Sequence, residues 1–158
     1  MIMRISVHCW VGLLLAFVLI GVPWSAPAQA AAPSQWTLAD TSNTTWRLAV
    51  FERDGWRLRL TSLNPSVSPD HTRPLLLTDG LHQHWRLDNC SKELLPEGQE
   101  VLLPRQSAQF DLAELKPVPE AFLPLQLTLP LEQGFAQILL GAEQVTRLHQ
   151  ISLEPVAR

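Results

Sequence analysis

The chain has 158 residues, of which 46% are hydrophobic and 17% charged, with 12 basic and 15 acidic side chains. This composition excludes a disordered tail, which needs more charge and less apolar mass, and a membrane protein with several spans. The formal net charge of -3 gives no basic excess, so nucleic acid is not an expected partner. The length is that of one domain.

The first thirty residues have the three parts of a secretory signal peptide. Arg4 precedes the apolar stretch 5–22, and the segment ends in Ala28-Gln29-Ala30. A charged start, an apolar core and an A-x-A exit predict export with cleavage after Ala30. The strict core, residues 10–22, is 13 residues long, whereas a bilayer span needs about 20. Counted from residue 5 the core has 18 residues, so an uncleaved N-terminal membrane anchor is the alternative.

The predicted mature chain, residues 31–158, is a single domain of 128 residues with a net charge of -4. A chain of this length buries enough surface to fold without a metal or a disulfide. Its one cysteine, Cys90, cannot form an intramolecular disulfide even in an oxidising compartment. Because no activating base lies near it in the sequence, we interpret Cys90 as a tolerated free thiol.

The clearest strand of the mature chain covers residues 123–131. Leucine occupies every second position from Leu123 to Leu131, which predicts a strand with one buried face. Pro124 and Pro130 lie on the other face and lack an N–H donor. The sequence therefore predicts that this strand lies at a sheet edge or contains a bulge.

Seven further strands are predicted, separated by turn residues such as Asp79-Gly80 and Gln133-Gly134. They cover residues 36–39, 46–50, 56–60, 75–78, 82–88, 108–112 and 135–140. Residues 88–106 read as a long loop, and 141–150 as a short C-terminal helix over the end of the sheet. The expected fold is all-β: a small antiparallel sandwich or barrel of about eight short strands.

The apolar pattern also selects one turn length. A three-residue loop over residues 53–55 pairs Glu52 with Trp56 and brings the alternating apolar sets 46–50 and 56–60 onto one face. A two-residue loop would shift the register by one and place arginines beside the core leucines. The longer loop places Gly55 where a positive φ is required, and it sends Trp46 and Trp56 inward, away from any carbohydrate-binding role.

Motifs for catalysis are absent from the sequence. It contains no phosphate-binding glycine loop, dinucleotide fingerprint, nucleophile elbow, H-E-x-x-H or C-x-x-C. Carboxylates such as Glu97 and Glu100 are interpreted as a solvated loop. We therefore expect no cofactor and no enzymatic activity.

One weak metal candidate is the His82-x-His84 pair. Strand periodicity would place both imidazoles on one face, where they could chelate zinc or copper, with His71 or Asp79 as further ligands. The simpler interpretation is a solvent-facing strand, because Arg86 on the same face would repel a cation. We therefore expect no metal site.

The predicted outer face of the first long hairpin is rich in arginine. It carries the candidate interaction residues Arg47, Phe51, Arg57 and Arg59, followed by Thr61. Three guanidiniums around an exposed phenylalanine could contact an acidic protein surface or lipid head groups. The alternative is an ordinary solvated sheet face with Phe51 beneath a loop or the C-terminal helix.

Several segments in order resemble a cyanobacterial exported family, the domain of unknown function 3122. They are residues 45–51 (TWRLAVF), 57–60 (RLRL), 73–75 (RPL), 109–112 (QFDL) and 124–131 (PLQLTLPL), followed by Gly134. The resemblance implies a cyanobacterial source and an exported domain facing the periplasm or thylakoid lumen. It implies no activity. The chain differs from the family by a tighter turn at Asp54-Gly55 and by its own loop around Cys90.

Two functions follow from these patterns. The first is a non-catalytic interaction or accessory domain at the periplasmic or lumenal side of a membrane, binding a protein partner or the membrane surface through its arginine-rich face. The second is a carrier of a small apolar ligand, in which the strands close around a cavity lined by leucine and tryptophan.

Overall fold

A computed structural model describes residues 33–96 and 102–154. The predicted leader with its cleavage site, and both Glu97 and Glu100, lie outside these ranges. The described elements are β1 (Ser34–Ala39), β2 (Thr45–Glu52), β3 (Trp56–Ser62), β4 (Leu75–Thr78), β5 (His84–Leu87), a 3₁₀ helix (Ser91–Leu94), β6 (Ser107–Asp111), β7 (Leu125–Pro130), β8 (Phe135–Leu140) and α1 (Ala142–Leu153). All eight predicted strands are present, and the predicted loop 88–106 contains the 3₁₀ helix.

The strands form two four-stranded antiparallel sheets. The first sheet has the order β1-β2-β3-β6 and the second the order β5-β4-β7-β8. The sheets touch at two corners through isolated bridges, Asn89 with Phe110 and Asp40 with Ile138. The described strands therefore form two sheets and not a closed barrel, which confirms the all-β prediction in its sandwich form.

The alternating apolar residues of both sheets meet in one core. In β2 and β3 the buried set is the predicted one, and it joins leucines of β4 and β7 in a single cluster. Trp46 is fully buried and donates its indole N–H to Asp40 Oδ2 at 3.0 Å. Buried indoles need such a partner. The prediction that Trp46 and Trp56 point inward is confirmed.

The turn between β2 and β3 has the predicted three-residue length. Glu52 lies opposite Trp56. Gly55 has a φ of 115°, and the N–H of Arg53 donates to its carbonyl at 2.8 Å. A side chain at this φ is strained, so glycine is required here.

The predicted edge position of β7 is wrong. β7 pairs with β4 on one side and β8 on the other, which makes it a central strand. Its prolines do not interrupt the hydrogen bonding because Pro124 precedes the strand and Pro130 is its last residue. The Pro130 carbonyl still accepts a bond from Asp70 N–H at 2.9 Å.

The predicted C-terminal helix is present and longer than expected. α1 begins after Gly141, whose N–H donates to Gln144 Oε1 at 3.0 Å, and it extends to Leu153. Val145, Leu148 and Ile151 are buried against the core, as amphipathic spacing requires. No helix among residues 33–96 and 102–154 is long and apolar enough to cross a bilayer.

Candidate functional site

The candidate site lies on the outer face of the first sheet, where the pairing register places the side chains in rows. Arg47 of β2 lies between Thr37 of β1 and Thr61 of β3. In the next row Arg59 lies between Ala49 and Gln109. Side chains opposite each other across strands are close enough to contact, so each arginine is surrounded by small or uncharged neighbours.

Arg57 does not belong to the exposed set, so the prediction that it faces solvent is wrong. The residue is only 6% exposed. Its Nε donates to Glu93 Oε2 at 2.9 Å, and its Nη1 lies 3.2 Å from Asp111 Oδ1. The hydrogen bond to Glu93 raises the pKa of Arg57 and lowers that of Glu93. The 3₁₀ helix places Glu93 over the sheet. The periodicity of the hairpin strands does not indicate this contact, because Glu93 belongs to a distant segment of the chain.

Gln109 connects this ion pair to Arg59. The amide is fully buried: its Nε2 donates to Glu93 Oε2 at 2.7 Å, and its Oε1 accepts from Arg59 Nε at 3.2 Å and Nη2 at 2.9 Å. With a carboxylate on one side and a guanidinium on the other, the amide has one satisfactory orientation. Sequence reasoning missed Gln109 because the pairing of β3 with β6 is non-local.

Arg59 is held in place from a second direction by Phe51. The guanidinium carbon lies 4.8 Å from the centre of the Phe51 ring, within cation–π range. Burial lowers the pKa of Arg59, and the neighbouring Arg53 lowers it further. Arginine nevertheless stays charged. The Nη1 of Arg59 makes no hydrogen bond to any of the described residues.

Arg47 is exposed, and its side chain makes no hydrogen bond or ion pair within the described part of the chain. It helps to line a shallow cleft of about 440 Å³, here called the arginine cleft, whose lining is Pro33, Gln35, Arg47, Ala49, Phe51, Arg59 and Thr61. The lining contains two cations and no carboxylate. Chemically, the arginine cleft can receive an anionic group beside an aromatic ring.

Comparison with known protein families gives one match. Residues 22–147 match the family described as "Protein of unknown function (DUF3122)". The chain belongs to this family. No curated protein and no solved structure matches it.

The two histidines of the metal hypothesis are both exposed in this member of the family. His84 opens β5, whereas His82 lies in the turn before it, so the two do not share a strand face. Of the further candidates, Asp79 Oδ1 accepts three backbone N–H groups of its own turn, and His71 Nε2 contacts the Ser107 carbonyl at 2.8 Å. No group of three or more potential ligands occurs in the described ranges.

Cys90 is a half-buried free thiol at the start of the 3₁₀ helix. Burial raises its pKa to about 11, and the negative charge of Glu93 raises it as well. A thiol with so high a pKa is protonated at neutral pH and is a weak nucleophile.

Proposed function

We propose that this chain is a non-catalytic interaction domain that binds an acidic segment of a partner protein through the arginine cleft. The observation that carries the proposal is that the arginines on this face differ in whether a carboxylate neutralises them. Arg57 has two carboxylate partners, whereas the arginine cleft holds Arg47 and Arg59 without any. Uncompensated arginines beside an aromatic ring are typical of protein interfaces.

An acidic protein segment fits this cleft better than a lipid surface does. Electrostatic attachment to anionic lipids typically uses a cluster of 4–8 basic side chains. The arginine cleft offers two, on a mature domain whose expected net charge is -4. Bidentate guanidinium–carboxylate pairs need only one or two well-placed arginines.

The alternative function, a carrier of a small apolar ligand, has less support. It requires the inward-facing leucines and tryptophans to line a cavity. These residues pack against one another in a single cluster, and the most exposed of the three core tryptophans is Trp56, at 7%. Protein interiors packed in this way leave few voids larger than a water molecule.

The proposed place of action is the periplasm or thylakoid lumen of a cyanobacterium, after removal of residues 1–30. Support comes from the charged start, apolar core and Ala28-Gln29-Ala30 exit of the leader. The intact mass of the protein purified from its host tests this proposal. A chain beginning at Ala31 agrees with it, and a full-length membrane-bound chain shows that the leader is an anchor.

The binding proposal is tested with two probes, poly-L-glutamate and vesicles containing phosphatidylglycerol, each titrated at low and moderate salt. The wild-type protein is expected to bind poly-L-glutamate, with affinity falling as salt rises. Replacing Arg47 and Arg59 together by glutamate should weaken binding at least about tenfold. The matched control replaces Arg86 and Arg105 together by glutamate, the same change of charge at two exposed arginines outside the arginine cleft.

Three outcomes count against the proposal. Equal weakening by the double replacement of Arg86 and Arg105 would show that only net charge matters. Unchanged binding in the double variant would show that the arginine cleft is not the site. Binding to the vesicles and not to poly-L-glutamate would assign the face to a membrane.

A further inference from the structure

β1 presents an unpaired edge beside the arginine cleft. The Thr45 carbonyl accepts from Leu63 N–H at 2.9 Å, so Thr45 points its backbone groups toward β3 and Trp46 points its own toward β1. Backbone direction alternates along antiparallel strands. Three residues of β1 therefore direct N–H and C=O away from the sheet: Gln35, Thr37 and Ala39. The bridge between Asp40 and Ile138 joins the Ala39 end of this edge to β8, whereas no strand of the described ranges pairs with Gln35 or Thr37 on this side.

The opposite edge of the same sheet is closed. At β6, Cys90 N–H donates to the Gln109 carbonyl at 2.8 Å, and Asp111 N–H donates to the Asp88 carbonyl at 3.0 Å. The edge of β1 makes a comparable contact at its C-terminal end, where Asp40 forms a bridge with Ile138 and Thr41 N–H donates to the Gln137 carbonyl at 3.0 Å. From Thr37 back to Gln35 no described strand pairs with this edge.

This open edge lacks the features that keep sheet edges from pairing. Natural proteins protect edges with charges, an internal proline, a bulge or a covering element. β1 reads Ser-Gln-Trp-Thr-Leu-Ala, and its pairing with β2 runs without interruption from Ser34 to Ala39. An unprotected strand edge is a template for another extended segment.

A groove of about 550 Å³ separates this edge from one face of α1. Two side-chain contacts span it: Trp36 Nε1 donates to Glu143 Oε1 at 2.8 Å, and Arg147 Nε donates to Ser34 Oγ at 3.0 Å. Gln35 lines both this groove and the arginine cleft, so the two form one continuous surface across β1.

We propose that the acidic partner segment binds as an extended strand along residues 35–38 and becomes the fifth strand of the first sheet. This inference rests on the proposed function and specifies the partner's form. Alternate side chains of an added strand point to opposite faces. One set would face the outer surface near Arg47, where carboxylates are favoured, and the other would face Trp36 and the groove, where apolar side chains are favoured. The partner segment is thus an alternation of acidic and apolar residues.

The test uses a synthetic peptide of about six residues that alternates glutamate and valine, with both ends blocked. On binding, the amide protons of Gln35 and Thr37 should exchange with solvent at least about tenfold more slowly. Thr37→Pro removes one outward N–H while leaving the bonds to β2 intact, because proline is tolerated at strand edges. It should weaken binding at least about tenfold, whereas the control Thr37→Val should not.

The variants separate this inference from the proposed function. If Arg47→Glu weakens peptide binding but Thr37→Pro does not, strand addition is wrong and the arginine cleft stands. If neither variant weakens binding, both proposals fail. A concentration-dependent dimer that Thr37→Pro abolishes would show that the occupant is a second copy of this chain, which overturns the inference. A circular dichroism spectrum of each variant confirms that it is folded.

Discussion

Arg57 and Arg59 are two residues apart on β3 and point to the same face of the same sheet, but they differ in burial and in ion pairing. Arg57 lies against Glu93 and Asp111 and is buried. Arg59 is half-exposed and contacts an uncharged amide and an aromatic ring. What separates them is the 3₁₀ helix of residues 91–94, which brings a carboxylate to one and not to the other.

This face therefore has two halves. The structural half, beneath the 3₁₀ helix, holds Arg57, because a buried guanidinium is stable only when its charge is compensated. The exposed half is the arginine cleft, which holds Arg47, Arg59 and the Phe51 ring and has no carboxylate in its lining. Gln109 links the halves, so the structural pair Arg57–Glu93 also fixes the direction of Arg59.

The largest expected effect comes from removing the structural arginine. Arg57→Met should lower the free energy of unfolding by about 2 kcal/mol, less than for a fully buried pair because Glu93 and Asp111 keep contact with water. Arg47→Met, the same change in the exposed half, should alter it by less than about 0.5 kcal/mol. Urea denaturation of both variants measures the difference, and equal losses would contradict the division of the face.

Gly55 offers a second way to disturb the structural half. Its φ of 115° strains any other residue, and a Cβ there would lie 3.0 Å from Arg57 Nη1. Gly55→Val should therefore destabilise the protein by about 1 kcal/mol or more. Glu52→Val places the same residue in the adjoining strand as a control. An unchanged urea midpoint for Gly55→Val would refute the turn geometry.

A smaller effect is expected from pH. Because the pKa of Glu93 in the folded state lies below its usual 4.5, the stabilising contribution of Glu93 is complete above that value and is lost as pH falls through the folded pKa. Glu93→Gln should remove about 0.5–1 kcal/mol at neutral pH and flatten the fall of the melting temperature below about pH 4.5. Exposed Glu120→Gln serves as the control. Identical pH profiles for wild type and Glu93→Gln would argue against the ion pair.

Local pattern was enough to predict the strands and the β2–β3 register. Alternation of apolar residues reports which face of a strand is buried, and both hairpin strands had strong alternation. Local pattern could not predict which distant strands pair with each other. The β3–β6 contact and the position of Glu93 over Arg57 depend on residues 36 or more positions apart, and nothing in the spacing of either segment indicates the other.

The error on β7 has the same origin. Alternation from Leu123 to Leu131 puts Pro124 and Pro130 inside the predicted strand, and this is why the sequence predicts a sheet edge or a bulge. The paired strand is shorter, Leu125–Pro130, and its two neighbours decide where it ends. Proline restricts the residue that carries it and leaves the rest of the strand free to be central.

One nuclear magnetic resonance titration distinguishes the exposed arginines from the structural one. The Nε–Hε signals of the arginines are followed as poly-L-glutamate is added to the wild-type protein. We predict that the signals of Arg47 and Arg59 shift with a common binding curve, while the signal of Arg57, already bonded to Glu93, stays in place. A shift of Arg57 with Arg47 and Arg59 unchanged would contradict this prediction.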